Sequence, residues 1–159
     1  MGPVHEPDIE WTETERGETT FKRKQLGEAA DSEQLGCSLY ELPAESKSWP
    51  YHYHTANEEA LYVLDGTGTL RLGGETHDLR AGDYVAFPAD ESGAHRVVND
   101  SEEPLRYLAF STMNEPDVTK YPDSEKVGVF VGAPPGGRDG RTLTKYYRQD
   151  DDVDYWEDE

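Results

Sequence analysis

Two histidines stand one residue apart in the stretch Trp49-Pro50-Tyr51-His52-Tyr53-His54, and a carboxylate follows within a few residues. On an extended chain, residues two apart point to the same face. One strand can therefore present the imidazoles of His52 and His54 side by side. The interval from Thr55 to Glu58 is polar and predicts a turn. Glu59 then opens a second strand, Glu59-Ala60-Leu61-Tyr62-Val63-Leu64, rich in residue types that suit a sheet. Asp65-Gly66 closes it with a hairpin signal, because glycine tolerates the positive φ that tight hairpin turns need. Two neutral imidazoles and a carboxylate converging from adjacent strands are three of the ligands a divalent transition metal takes. A fourth candidate is His95, which heads the apolar run His95-Arg96-Val97-Val98-Asn99.

In that order and spacing, the residues resemble the cupin family. Its first motif is a His-x-His pair, a Glu and a later Gly, here His52, His54, Glu59 and Gly66. The family's Glu-to-Gly interval selects Glu59 over the adjacent Glu58. The second motif reads Gly82, Pro88, Gly93, His95 and Asn99. The chain departs from the pattern twice. Ser46 stands where the family often has a glycine, and the loop from Pro88 to His95 is longer than usual. The resemblance covers about Gly36 to Met113. It implies an all-β fold, the cupin double-stranded β-helix or jelly-roll barrel, with extensions at both ends. It also implies one divalent transition metal (Fe, Mn, Ni, Cu, Co or Zn) held by His52, His54, Glu59 and His95.

Four protein ligands leave one or two positions open on a five- or six-coordinate ion, for water, O₂ or a chelating substrate. Two functions follow from such a site. One is a metal-dependent enzyme of dioxygenase or isomerase type, with Glu59 as ligand, catalytic base or both, and with Tyr53 and Tyr107, as well as Tyr51, as substrate-binding walls. The alternative is a non-catalytic cupin that binds or senses a metal or small molecule. A purely structural metal is a third reading.

The elements that must position these residues are short strands punctuated by Gly and Pro. Leu35–Leu42, Thr67–Leu72, Thr76–Leu79, Asp83–Phe87, His95–Asn99 and Leu105–Phe110 all read as strands. Gly73-Gly74 and Ala81-Gly82-Asp83 read as turns between them. No amphipathic helix competes, so the pattern predicts a β-sandwich or barrel. At 159 residues the chain predicts a single barrel. Residues 1–20 read as a flexible acidic arm and 21–113 as the barrel. Residues 114–159 read as an extension packed on the barrel or on a partner, with strands at Val127–Val131 and Thr142–Arg148 and a loop at Ala133–Gly137. Cupins of one barrel often pair by exchanging terminal strands, so a homodimer is expected.

The net charge is −19, with 34 acidic against 15 basic residues. The excess crowds both ends but also pervades the middle, as in proteins of salt-accumulating halophiles. Such a surface repels nucleic acid and anionic membranes, and a phosphorylated or otherwise anionic substrate would need a local basic patch. The single cysteine, Cys37, precludes an internal disulfide framework. The start of the chain has no basic head or apolar stretch, and a cytoplasmic location is expected. His5 and His77 lie outside both motifs and read as surface residues.

Overall fold

The structure is a computed structural model and describes residues 2–136 and 140–159. Met1 of the expected arm and Gly137 of the expected loop lie outside them. Strands run in chain order as β1 (Thr12–Arg16), β2 (Thr19–Lys24), β3 (Leu35–Leu42), β4 (Ser46–Lys47), β5 (Tyr53–His54), β6 (Glu59–Asp65), β7 (Thr67–Leu72), β8 (Glu75–Arg80), β9 (Tyr84–Phe87), β10 (His95–Asn99), β11 (Leu105–Thr112), β12 (Asp117–Tyr121), β13 (Lys126–Val131) and β14 (Leu143–Arg148). A single turn of helix, α1 (Leu26–Ala29), follows β2. No helix among the described residues is long and apolar enough to cross a membrane.

The strands form two sheets. The larger runs β8-β7-β10-β4-β2-β3-β11-β6-β9, with β1 beside β2, and the smaller runs β14-β13-β12-β5. The larger sheet is almost entirely antiparallel, so one face can pack a core while the other meets water. Strand β6 shows this clearly. Leu61 and Val63 are fully buried, whereas Tyr62 and Leu64 between and after them are exposed. Phe21, Tyr40, Leu42, Leu70, Leu79, Phe87, Val97, Leu105 and Tyr107 complete the same core. Burying each of the aliphatic side chains contributes roughly 2 kcal/mol.

The turns carry the strain that glycine relieves. Gly66 sits at φ +85°, and a Cβ there would meet the Pro104 carbonyl oxygen at 2.5 Å. Gly93 has a different reason, since a Cβ on it would come within 2.0 Å of the Pro88 carbonyl oxygen. The long loop before His95 folds back on itself as a 3-10 turn over Glu91–Gly93, capped by the Asp90 side chain. Asn99 ties the loops at the other end of β10. Its side-chain NH2 lies 2.8–3.0 Å from the carbonyls of Leu42, Pro43 and Glu103, which share its two hydrogens, and its oxygen accepts from the Ser101 amide.

Both ends of the chain contribute strands to the sheets. Where an arm is expected, Glu6–Asp8 forms a 3-10 turn and Thr12–Arg16 pairs along its whole length with β2. Lys24 reaches back to Glu6 at 2.6 Å and lies 4.7 Å from the Trp11 ring centroid, which fastens the segment to the body. At the other end, β12 to β14 take β5 as their fourth strand. The extension is therefore built into the sheet that carries His54.

Candidate metal centre and pocket

His52 lies just before β5 and His95 opens β10. The two are joined by a backbone bridge, His95 N donating to His52 O at 2.9 Å and His52 N to His95 O at 3.3 Å. That bridge links the two sheets at the site itself. The long loop does not turn His95 outward. Its ring stacks on Phe87 at 3.8 Å between centroids, and β10 alternates so that His95, Val97 and Asn99 share the inward face. Glu59 shares the inward face of β6 with Leu61 and Val63, while Glu58 is exposed.

The four side chains meet. Glu59 Oε2 is 3.4 Å from His54 Nε2 and 3.5 Å from His95 Nε2. Donor atoms of His52, His54 and Glu59 all lie within 4.8 Å of one another. The His52 ring centroid is 5.1 Å from that of His54 and 4.9 Å from that of His95.

The hydrogen bonds behind these rings fix their chemistry. His52 Nδ1 is 2.7 Å from the Pro50 carbonyl oxygen, and His95 Nδ1 is 2.8 Å from that of Gly93. His54 Nδ1 is 2.6 Å from Asp117 Oδ2. A carbonyl or carboxylate oxygen only accepts, so each Nδ1 carries the hydrogen. In the neutral rings every Nε2 is left as a bare lone pair, and those of His54 and His95 face the Glu59 carboxylate. This donor set fits a transition-metal cation, with tautomers already set as such ligands require.

Burial holds the His52 imidazole well below the usual histidine range, with His95 and His54 adding to the effect. Burial likewise lowers His95, although Glu59 opposes it. For His54 burial is outweighed by Glu59 and Asp117, and the net shift is upward. Two of the three imidazoles are thus held neutral. The third holds a proton more tightly whenever nothing else occupies its lone pair.

The cluster opens into a cavity of about 640 Å³ between the inner face of the large sheet and the small sheet. Tyr107 lines it, as expected. Tyr53 does not line it. Since His52 and His54 share the inward face, the residue between them faces away. Tyr51 is also outside the cavity, buried beneath the Arg71 guanidinium with its hydroxyl accepting from the Gly74 amide. His77 and His5 are exposed.

Several site residues escape a reading of the sequence. Asp117 and Thr119 are fully buried at the inward positions of β12, and the Thr119 hydroxyl contacts both His54 Nδ1 and Asp117 Oδ2. Tyr121, next on that face, stacks near His52. Burial raises its hydroxyl pKa, as does neighbouring Tyr146, so it stays protonated. From the large sheet Arg23 enters at the inward position after Phe21.

Residues 38–111 match the Cupin domain family. This segment folds as a cupin jelly roll. The chain resembles the crystal structure of a putative sugar phosphate isomerase from Acidithiobacillus ferrooxidans, with 25% identity, a TM-score of 0.80, and 92% of this chain and 90% of that one covered. A sugar phosphate isomerase of the cupin superfamily from Silicibacter pomeroyi shares the fold, with 24% identity, a TM-score of 0.79 and 93% of each chain covered. An uncharacterized protein of Methanocaldococcus jannaschii is 31% identical over 70 residues, 44% of this chain and 54% of that one. The chain therefore spans about half the length of that relative.

Proposed function

We propose that this cupin is a metal-dependent enzyme acting on a small molecule, with isomerase-type chemistry at the His52–His54–Glu59–His95 cluster. The observation that carries the metal is that two imidazoles, His54 and His95, approach the Glu59 carboxylate while His52 stands within 4.8 Å of His54 and Glu59, each ring with Nδ1 against an acceptor oxygen. A divalent transition ion held there would supply Lewis-acid polarisation of a substrate carbonyl. The chain's own residues account for the rest. Glu59 turns Oε2 toward the histidines, which leaves its other oxygen to take a proton from the hydroxyl-bearing carbon beside that carbonyl and return it to the former carbonyl carbon, while the hydroxyl proton passes to the former carbonyl oxygen. Tyr121, stacked near His52, forms part of the wall beside the cluster. Phe87 and Phe130 keep part of the wall apolar and limit water.

The likeness to a putative isomerase over nine-tenths of both chains favours isomerisation over oxygen chemistry. The pairing of two copies is part of the same proposal. Tyr155 and Trp156 are 83% and 73% exposed, next to the fully exposed strand β14, and a second copy would cover them.

The test is metal analysis of tag-free protein, followed by turnover in deuterated water. The expected result is about one transition ion per chain, most of it lost in His54→Ala, with solvent deuterium appearing beside the carbonyl of an aldose or ketose substrate. Protein that binds no transition metal refutes the reading. Oxygen consumption without deuterium exchange would replace isomerase with dioxygenase.

A further inference from the structure

In a chain with 34 acidic and 15 basic residues, the cavity reverses the balance. Among the described residues it is lined by Arg23, Lys126 and Arg141 against Glu28 and Glu59, and Glu59 belongs to the metal cluster. None of the three cations forms an ion pair among the described residues, whereas Arg71, Arg80, Arg96 and Arg106 on other surfaces all do.

Neutral groups hold the two arginines in place. Arg23 Nε donates to Ser38 Oγ at 3.1 Å and Nη2 to the Gly136 carbonyl at 2.9 Å. Arg141 Nη2 donates to the Pro134 carbonyl at 2.9 Å, its guanidinium lies 5.1 Å from the Phe130 ring centroid, and its buried Nε has no partner among the described residues. Lys126 lies 5.6 Å from the Tyr121 ring centroid. A part-buried guanidinium positioned by carbonyls and a ring, with N–H groups unspent, is costly unless something anionic completes it. Arg23 comes from the large sheet, and Lys126 opens β13 in the small one. The basic groups therefore face the cavity from both of its walls.

We propose that the cavity selects a substrate with a carboxylate or phosphate group, held by Arg23 and Arg141 with Lys126 at the edge, while its remainder reaches the His–Glu cluster. Only that last clause rests on the metal reading, because the anion site stands without the ion. The fork of an arginine can meet two oxygens of either group at once.

The experiment is calorimetric titration of metal-stripped protein with inorganic phosphate and, separately, with malonate, so that no ion can bind the probe. Saturable binding is expected from at least one probe. Arg141→Gln and Arg23→Lys should weaken it tenfold or more, and Lys126→Gln several-fold. Metal uptake by the three variants should stay unchanged, which also shows that they are folded. Preference for phosphate or malonate identifies the substrate's anionic group. No saturable binding of either probe, or equal affinity in all three variants, overturns the proposal. Anion binding by protein that takes up no metal would uphold this site and refute the metal centre, and the converse pattern would do the opposite.

Discussion

His54 Nδ1 and Asp117 Oδ2 lie 2.6 Å apart although 63 residues separate them in the chain. Asp117 is fully buried, accepts from the Ala56 amide and the Thr119 hydroxyl as well, and is held below the usual carboxylate range, since these bonds outweigh the effect of its burial. It therefore remains charged, fixes the His54 tautomer and orients the ring. Asp117→Asn should weaken metal affinity by about 10–100-fold, the usual cost of losing such a partner. Competition against a chelator measures it. Unchanged affinity would show that Asp117 serves the fold alone.

In the metal-stripped protein, His54 binds a proton more tightly when folded than its ordinary value of 6.5, because Glu59 and Asp117 overcome the effect of burial. A raised histidine contributes stability that is complete below the unfolded value and lost as pH climbs through the folded one. The stability difference between metal-stripped wild type and His54→Gln should thus be greatest below about pH 6.5 and shrink above it. Urea unfolding at several pH values tests this, and a difference that grows toward alkaline pH contradicts the assigned partners. Adding metal should reverse the trend, since proton and ion compete for one lone pair.

From a fully buried position, the two N–H groups of the Asn99 amide are shared among three carbonyls, those of Leu42, Pro43 and Glu103. Asn99→Ala strands those carbonyls and should cost about 3 kcal/mol. Denaturant unfolding reads it directly. A loss under 1 kcal/mol would mean that water replaces the amide.

Gly93→Ala should displace His95 as well as destabilise the chain, because the added carbon would sit 2.0 Å from the Pro88 carbonyl oxygen. The expected outcome is metal affinity reduced at temperatures where circular dichroism still shows a folded sheet. Native affinity at those temperatures would show that the loop moves without its histidine.

The charge of −19 predicts a salt dependence. Screening shortens from about 10 Å at 0.1 M salt to about 3 Å at 1 M. The melting temperature should therefore climb steadily from 0.1 to 2 M KCl. A flat profile would rule out a surface adapted to molar salt.

Strands with apolar inward faces were open to reading. Leu35–Leu42, Thr67–Leu72 and His95–Asn99 match their observed limits, the first because it carries buried apolar residues on both faces over Leu39–Leu42 and the other two because inward core residues alternate with less buried ones. The same alternation places His52, His54, Glu59 and His95. It also argues against Tyr53 as a pocket wall, since the residue between two inward histidines must face outward. Strand β12 hid for the opposite reason. Its inward residues are Asp117, Thr119 and Tyr121, because it walls a polar site rather than the core, so no hydrophobic period marks it. Strand β1, Thr-Glu-Thr-Glu-Arg, is an exposed edge with no apolar face to reveal it. Arg23 carries no signal of its own until the inward position of Phe21 is known.

The backbone joining β5 to β12 has a bearing on how this molecule can be divided. A version trimmed to end near Met113 would still contain the entire Cupin domain match, yet His54 would lose the carboxylate on its Nδ1 and the cavity one of its walls. The site extends past the matched residues, and the sheet that carries His54 runs through Arg148.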